Sequence, residues 1–298
     1  MRQADTVILV LSHVLNRGVV DLLNEMQAHC SGEYKVVLLF DNTKGAFDRR
    51  VEDTDCFLFD LQSIEDLRYP GRSFAYDDKR RQENPYHKDF NFVPGSIALP
   101  VLLFHQKHPG YRHYWVVEYD VRFTGRWDAL FSHFRDSPAD LLGTTLTRYE
   151  DIPNWYHWPG LDLLDLPIDK RDYIRGFFPI YRISGRGLAQ LHAFYQRGVK
   201  GHFECLGPTL LRHAGLTIED IGGAGEFVRP ENVNRFYRNT PKAGALSPGT
   251  FAFRPVMDRP GKEPGMLWHP VKYSPLWRIL SRNTYRLARR ALRAIRGR

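Results

Sequence analysis

A chain of 298 residues with 43% hydrophobic and 26% charged content has the make-up of a soluble globular protein with ample length for a core. Its net charge of +8 sits entirely at the end: eight arginines and no acid follow Leu276, and the rest of the chain holds as many basic residues as its 34 acids. A neutral body argues against a nucleic-acid-binding core, which would need a basic face there too.

The first predicted element is a buried strand over residues 6–11, in "DTVILVLSH". "VILVLSHVL" has the apolarity of a signal core, but Asp5 precedes it and no small-residue cleavage site follows, so a strand is expected. A helix follows in "NRGVVDLLNEMQAHC", with Val19, Leu22, Leu23 and Met26 at helical spacing. "YKVVLLFDNT" predicts a second buried strand ending in Asp41, and "CFLFD" a short third one before Asp60. Strand, helix and strand with continuous apolar runs predict an α/β sheet covered on both faces. Ligands of such sheets sit beyond the carboxyl ends of the strands, which places Ser12, Asp41 and Asp60 on one rim.

Residues 68–93 are polar and aperiodic and predict a long loop, with Lys79, Arg80 and Arg81 in it. "GSIALPVLLFHQKHP" predicts a helix with Pro100 as a kink or an early-turn residue, and "YWVVEYD" a strand that ends in acids. "WDALFSHFRD" predicts a helix and "ADLLGTTLT" a strand. From residue 150 the texture is aromatic and proline-rich. There "GFFPIYRIS" predicts a strand, "GRGLAQLHAFYQRG" a helix, "GHFECLGPTLLRHAG" a loop running into a helix, and "TFAFRP" one further strand. Cys30, Cys56 and Cys205 lie far apart without CxxC spacing, which argues against a disulfide framework or structural zinc and for a reducing compartment. No apolar run reaches the roughly 18 residues of a membrane span. The tail, "LWRILSRNTYRLARRALRAIRGR", places Leu276, Leu280, Leu287, Ala291 and Ile295 on one side of a helix and arginines over most of the rest. Such a helix predicts docking on an anionic membrane surface, while a solvated arginine tail or one meeting an acidic partner is the bland alternative.

Four groups of residues carry possible chemistry. Glu118 and Asp120 follow an apolar strand, and where the chain turns their carboxylates converge on one cation. Mg²⁺ and Mn²⁺ prefer such oxygens and share them with phosphates. In "LWHPVK", His269 offers a neutral imidazole to complete a metal site and Lys272 a point charge for phosphate. Taken alone, His269 is a surface histidine before a turn proline. In "GHFECLGPTLL", Glu204 is either a carboxylate near a helix N-terminus, favoured by its dipole, or a general base. Trp155, Tyr156 and Trp158 offer flat rings to a sugar, although core packing is the ordinary explanation of any one of them.

In this order the pieces resemble the GT-A glycosyltransferases. "EYD" looks like a DxD variant, "GHFE" like the family's xED region, "WHPVK" like its late metal-site histidine, and "LLFDNT" like the second-strand aspartate that contacts the nucleoside. The resemblance spans roughly residues 5–272 and departs at two points: the first acid is Glu, and Cys205 follows Glu204 where an Asp is usual. It implies a GT-A-like, Rossmann-type central mixed sheet flanked by helices, with a donor-binding half over 1–125, an acceptor half over 126–272 and the amphipathic tail over 273–298. The implied cofactor is Mn²⁺ or Mg²⁺, held by Asp120 with Glu118 and His269. The implied donor is a nucleotide sugar, UDP-sugars foremost, met by Ser12, Asp41, Lys79, Arg80, Glu118, Asp120 and Lys272. A glycan or lipid-linked acceptor would meet Trp155, Trp158 and His202, and Glu204 would be the base of an inverting reaction. The tail would keep the enzyme cytoplasmic and peripheral to the inner face of the membrane. A nucleotidyltransferase is the rival among enzymes, but "LSHVLNRG" lacks the glycines of its phosphate loop. A non-catalytic carbohydrate-binding or scaffold protein would explain the aromatics and the tail, yet leaves the three polar motifs as coincidence.

Overall fold

The structure is a computed structural model and describes residues 5–47, 54–71, 95–238 and 249–273. The loop residues Lys79, Arg80 and Arg81 and the amphipathic segment from 274 onward lie outside the described residues.

The first strands form where apolar runs are longest: β1 (Thr6–Ser12), β2 (Lys35–Asp41), β3 (Asp55–Phe59) and β4 (His113–Glu118). Helix α1 (Arg17–Cys30) links β1 to β2, capped where the Asn16 side chain accepts the Val19 N–H at 3.1 Å. It buries Val19, Leu22, Leu23 and Met26, the four residues its spacing picks out. A short α2 (Leu61–Glu65) starts on Asp60, whose carboxylate accepts the Ser63 N–H at 2.8 Å. Helix α3 (Ala98–Lys107) carries Pro100 in its first turn, where a missing N–H costs nothing.

The second half adds β5 (Arg122–Phe123), α4 (Trp127–His133), β6 (Leu141–Gly143), β7 (Thr147–Arg148), β8 (Ile174–Arg175) and β9 (Ile180–Ser184). Then come α5 (Gly185–Gln196), α6 (Phe203–His213), β10 (Ile218–Asp220) and β11 (Leu267–Trp268). The central sheet has seven strands in the order β10-β6-β9-β4-β1-β2-β3, and β9 alone runs against its neighbours. This is the mixed, helix-flanked α/β sheet that the resemblance implies.

Both faces of the sheet are covered. Along β1, Val7 and Leu9 point into one core with α3, α5 and α6, while Ile8 and Val10 point into the other with α1 and α4. Each of these side chains is 0% exposed and contributes about 2 kcal/mol by leaving water. That two-sided burial is why the strands read as unbroken apolar runs rather than as alternations.

One expectation needs correction, and one strand has no signal in the sequence. "TFAFRP" makes no strand: Phe251 forms a single bridge to His269, as Met257 beyond the segment does to Val271. Strand β10 was not expected, because "IED" is short and acidic, yet Glu219 and Asp220 are buried. Asp220 is satisfied inside the protein by the Tyr237 hydroxyl at 2.6 Å and by the N–H groups of Leu146 and Gly222 at 2.8 and 3.0 Å.

Among the described residues no helix is long and apolar enough to cross a membrane.

Candidate active site

Strand order reverses between β1 and β4: the chain steps outward from β1 to β2 and β3, then returns to pair β4 on the other side of β1. Loops leaving the carboxyl ends of β1 and β4 therefore part, at the place where sheets of this kind bind ligands. Glu118 is the last residue of β4 and pairs in register with Leu11. The chain turns there, the Val121 N–H donating to the Glu118 carbonyl at 3.0 Å, so that Glu118 and Asp120 flank the bend.

His269 arrives from almost 150 residues away on a two-stranded ribbon, in which β11 pairs antiparallel with β5. Beyond β11, the Val271 N–H donates to the Asp120 carbonyl at 2.8 Å and fixes the ribbon against the turn. One oxygen or nitrogen each from Glu118, Asp120 and His269 then lies within 4.8 Å of the others.

The hydrogen bonds of this cluster show whether a cation fits. His269 Nδ1 lies 2.8 Å from the Ala252 carbonyl, which only accepts, so Nδ1 carries a proton. In the neutral ring Nε2 is then bare. It faces Asp120 Oδ1 at 3.5 Å and Glu118 Oε2 at 3.9 Å, both too long for good hydrogen bonds. Asp120 Oδ1 is buried and has no hydrogen-bond partner among the described residues. Three electron-pair donors thus face one small space, and only a proton or a cation relieves them. A ring nitrogen with its other N–H on a backbone carbonyl is the usual setting of a metal-bound histidine. Mixed carboxylate and imidazole donors suit Mn²⁺, or Mg²⁺ with fewer nitrogen contacts.

Charge around the cluster is tightly balanced. Burial raises the Glu118 carboxyl to about 8, and the neighbouring Asp120 adds to the rise. Burial pushes Asp120 the same way, but the Lys272 ammonium and the His269 ring beside it hold it below the usual carboxylate range. Lys272 Nζ lies 3.2 Å from Asp120 Oδ2 and donates to the Tyr119 hydroxyl at 2.9 Å. Burial would lower Lys272, yet the facing Asp120 carboxylate keeps it above its ordinary value.

Glu204 stands in the first turn of α6. The segment from Arg175 to Pro179 ties it to the cluster: the Gly176 N–H donates to the Glu204 carbonyl at 2.7 Å, and the Glu118 N–H donates to the Pro179 carbonyl at 2.7 Å. The two carboxylates are close enough that Glu204 contributes to the rise of Glu118. Burial lifts Glu204 itself to about 7, against the pull of the Arg175 guanidinium.

His202 caps α6, its Nδ1 accepting the Glu204 N–H at 3.3 Å, and its ring stacks on His157 at 3.8 Å between centroids. Burial, with His157 adding, lowers His202 to about 3, so the ring is neutral. Gly95 passes so close that a Cβ there would meet the His202 ring at 2.4 Å.

Other expected residues are placed less directly. The Ser12 hydroxyl donates to the Val14 carbonyl at 2.6 Å, and Asp41 accepts the Thr43 N–H and hydroxyl at 3.0 and 2.6 Å. Both sit on the carboxyl rim but shape their own turns. Trp155 and Trp158 are 5% and 6% exposed and pack with Ile152 and Cys205. This corrects the expectation that they offer open faces to a sugar; the exposed ring is Tyr156, at 69%. Sequence reasoning missed Arg175, buried beside Glu204 with its guanidinium over the Trp155 ring at 5.1 Å. Its only signal was a lone cation in the apolar "YIRGFF".

A family model described as "Protein of unknown function (DUF3405)" matches residues 18–139. No curated protein matches the chain. Among solved structures it is similar to mouse xyloside xylosyltransferase 1 in its apo form, at 12% identity and a TM-score of 0.34, over 71% of this chain and 81% of that one. A superposition that loose decides nothing about chemistry, which follows from the cluster itself.

Proposed function

We propose that this protein is a metal-dependent glycosyltransferase that moves a sugar from a nucleotide-sugar donor, UDP-sugars foremost, to a glycan or lipid-linked acceptor. The observation that carries the reading is the cluster of Glu118, Asp120 and His269 at the strand-order reversal, with bare acceptor atoms facing one space. Glu118, Asp120 and the Nε2 of His269 would hold Mn²⁺ or Mg²⁺. The bound cation neutralises charge on a diphosphate leaving group.

The chain's own residues do the rest. Ala252 keeps the His269 ring in the tautomer that presents Nε2. Lys272, 3.2 Å from Asp120, adds positive charge where the diphosphate departs. Ser12 and Asp41 line the rim on which the nucleoside would lie. Lys79 and Arg80 would assist at the phosphates, and His202 and the neighbouring aromatic segment would border the acceptor. Glu204, as base, takes the proton of the acceptor hydroxyl while that oxygen attacks the anomeric carbon and the bond to the diphosphate breaks with its electron pair. This is the inverting course. The basic tail would dock on anionic lipid and hold the enzyme at the inner face of the membrane, where lipid-linked acceptors lie.

The experiment is a panel of UDP-, GDP-, CMP- and dTDP-sugars, each with and without Mn²⁺, read by thermal shift and donor hydrolysis. Metal-dependent stabilisation by one nucleotide class, lost in Asp120→Ala, is the expected result. No response to any member of the panel would leave the protein a binding module instead. For the tail, deletion of residues 276–298 should release the protein from anionic liposomes and spare donor hydrolysis.

A further inference from the structure

Arg175 is 2% exposed, in β8. A buried guanidinium is costly unless its N–H groups and charge are compensated. Its Nε and Nη2 have no hydrogen-bond partner among the described residues. That edge is the one with which arginines of this protein grip carboxylates in a fork. Arg186 holds Asp140 through Nε and Nη2 at 2.5 and 2.6 Å, and Arg126 holds Asp128 through the same atoms at 3.1 and 3.0 Å. On Arg175 the fork stays open, and the guanidinium rests over the Trp155 ring.

The backbone around Arg175 is pinned to the helix that bears Glu204. The Ile174 N–H donates to Thr209 Oγ1 at 3.0 Å, the Thr209 hydroxyl donates to the Ile174 carbonyl at 3.1 Å, and Gly176 hooks onto the Glu204 carbonyl. The backbone of Arg175 is therefore held next to that of Glu204. The other titratable neighbours of Glu204 supply no positive charge: His202 and His157 are held neutral by burial, the Cys205 thiol is pushed up by burial, and Glu118 is an acid. In a low-dielectric pocket an uncompensated charge acts strongly on the one carboxyl beside it.

We propose that Arg175 is a positioning residue for Glu204: its guanidinium, with no carboxylate on its fork, favours the ionised Glu204 side chain against burial and turns it toward the acceptor. That the carboxylate then accepts a proton rests on the glycosyltransferase reading; the pairing of the two side chains does not.

The pairing is read by ¹³C NMR titration of protein labelled at the glutamate side-chain carboxyls, in metal-free buffer, with Glu204→Gln assigning the signal. Wild-type Glu204 should titrate near 7. Arg175→Gln should move that midpoint up by roughly one unit, and Arg175→Lys should leave it close to wild type. An unmoved midpoint in Arg175→Gln, or an equal shift in Arg175→Lys, overturns the proposal. If Arg175→Gln does not fold, the ¹⁵N signal of Arg175 Nε in the wild-type protein decides. It should follow the Glu204 titration and lose that response in Glu204→Gln; no response in the wild type overturns the pairing. A shifted midpoint in a protein that turns over no nucleotide sugar upholds the pair and sinks the glycosyltransferase reading instead.

Discussion

His269 Nε2 and Asp120 Oδ1 face each other at 3.5 Å, and the proton that could join them lies on the opposite nitrogen of the neutral ring, committed to the Ala252 carbonyl. A neutral imidazole and an ionised carboxylate in that arrangement repel. A divalent cation between them would relieve the contact. Burial raises the neighbouring Glu118 carboxyl to about 8, so at neutral pH it carries a proton in the metal-free protein, and metal uptake is expected to release it.

Asp120→Ala and His269→Ala should each abolish Mn²⁺ binding in isothermal titration calorimetry while leaving the far-ultraviolet circular dichroism unchanged. The turn survives because it is held by backbone bonds, from Val121 to Glu118 and from Val271 to Asp120, which neither substitution touches. Wild-type affinity in either variant would remove the metal centre from consideration.

Lys272→Met offers a test with two signs. Lys272 Nζ lies 3.2 Å from Asp120 Oδ2, and removing one partner of a buried pair costs about 3 kcal/mol. The metal-free variant should therefore melt well below the wild type. Saturating Mn²⁺ should recover most of the loss, since the ion supplies the missing positive charge. Thermal melts with and without Mn²⁺ check both halves, and a deficit that persists in Mn²⁺ would mean that Lys272 acts on Asp120 in a way no cation replaces.

The sequence makes much of this site legible and hides particular parts for particular reasons. Strands β1, β2 and β4 announce themselves because both faces are buried, and the acids that end β4 stand out against the run before them. The partnership of His269 with Asp120 is legible only through a family resemblance, because the ribbon that joins them has two residues per strand and so no periodicity to read. Strand β10 hides behind acidic residues whose burial is satisfied by Tyr237 and backbone N–H groups from distant loops. Arg175 hides for the same reason: an isolated arginine is assigned to solvent by default, and only the fold closes Trp155 and α6 around it. Trp155 and Trp158 err in the other direction, since flat rings that suit a sugar suit a core equally well.

Tyr237→Phe removes one oxygen that serves two buried groups. The Tyr237 hydroxyl donates to Asp220 at 2.6 Å and accepts the Thr145 N–H at 2.6 Å. The phenylalanine fills the same space but leaves that N–H unpaired and takes a donor from a buried carboxyl. The expected cost is on the order of 3 kcal/mol in urea denaturation, without change in metal affinity, because this network lies at the β6–β10 end of the sheet. A loss below about 0.5 kcal/mol would show that water reaches both groups.

Glu204 sets a pH dependence of opposite sign for stability and for turnover. Burial raises its folded-state value to about 7, above the ordinary 4.5. Between those two values the folded protein binds the proton and the unfolded chain does not, so this group's contribution to stability falls as pH rises and is fully lost above about 7. Turnover runs the other way, because a base must be ionised before it accepts a proton, and the acid limb of kcat/KM should have its midpoint near 7. Glu204→Gln removes the ionisation and should stabilise the protein at pH 8 by on the order of 2 kcal/mol while abolishing transfer. Thermal melts at pH 5 and pH 8 and a pH–rate profile separate the two effects. A glutamine variant that gains nothing at pH 8 would mean that the carboxylate is well solvated at neutral pH, and an acid limb near 4.5 would then follow.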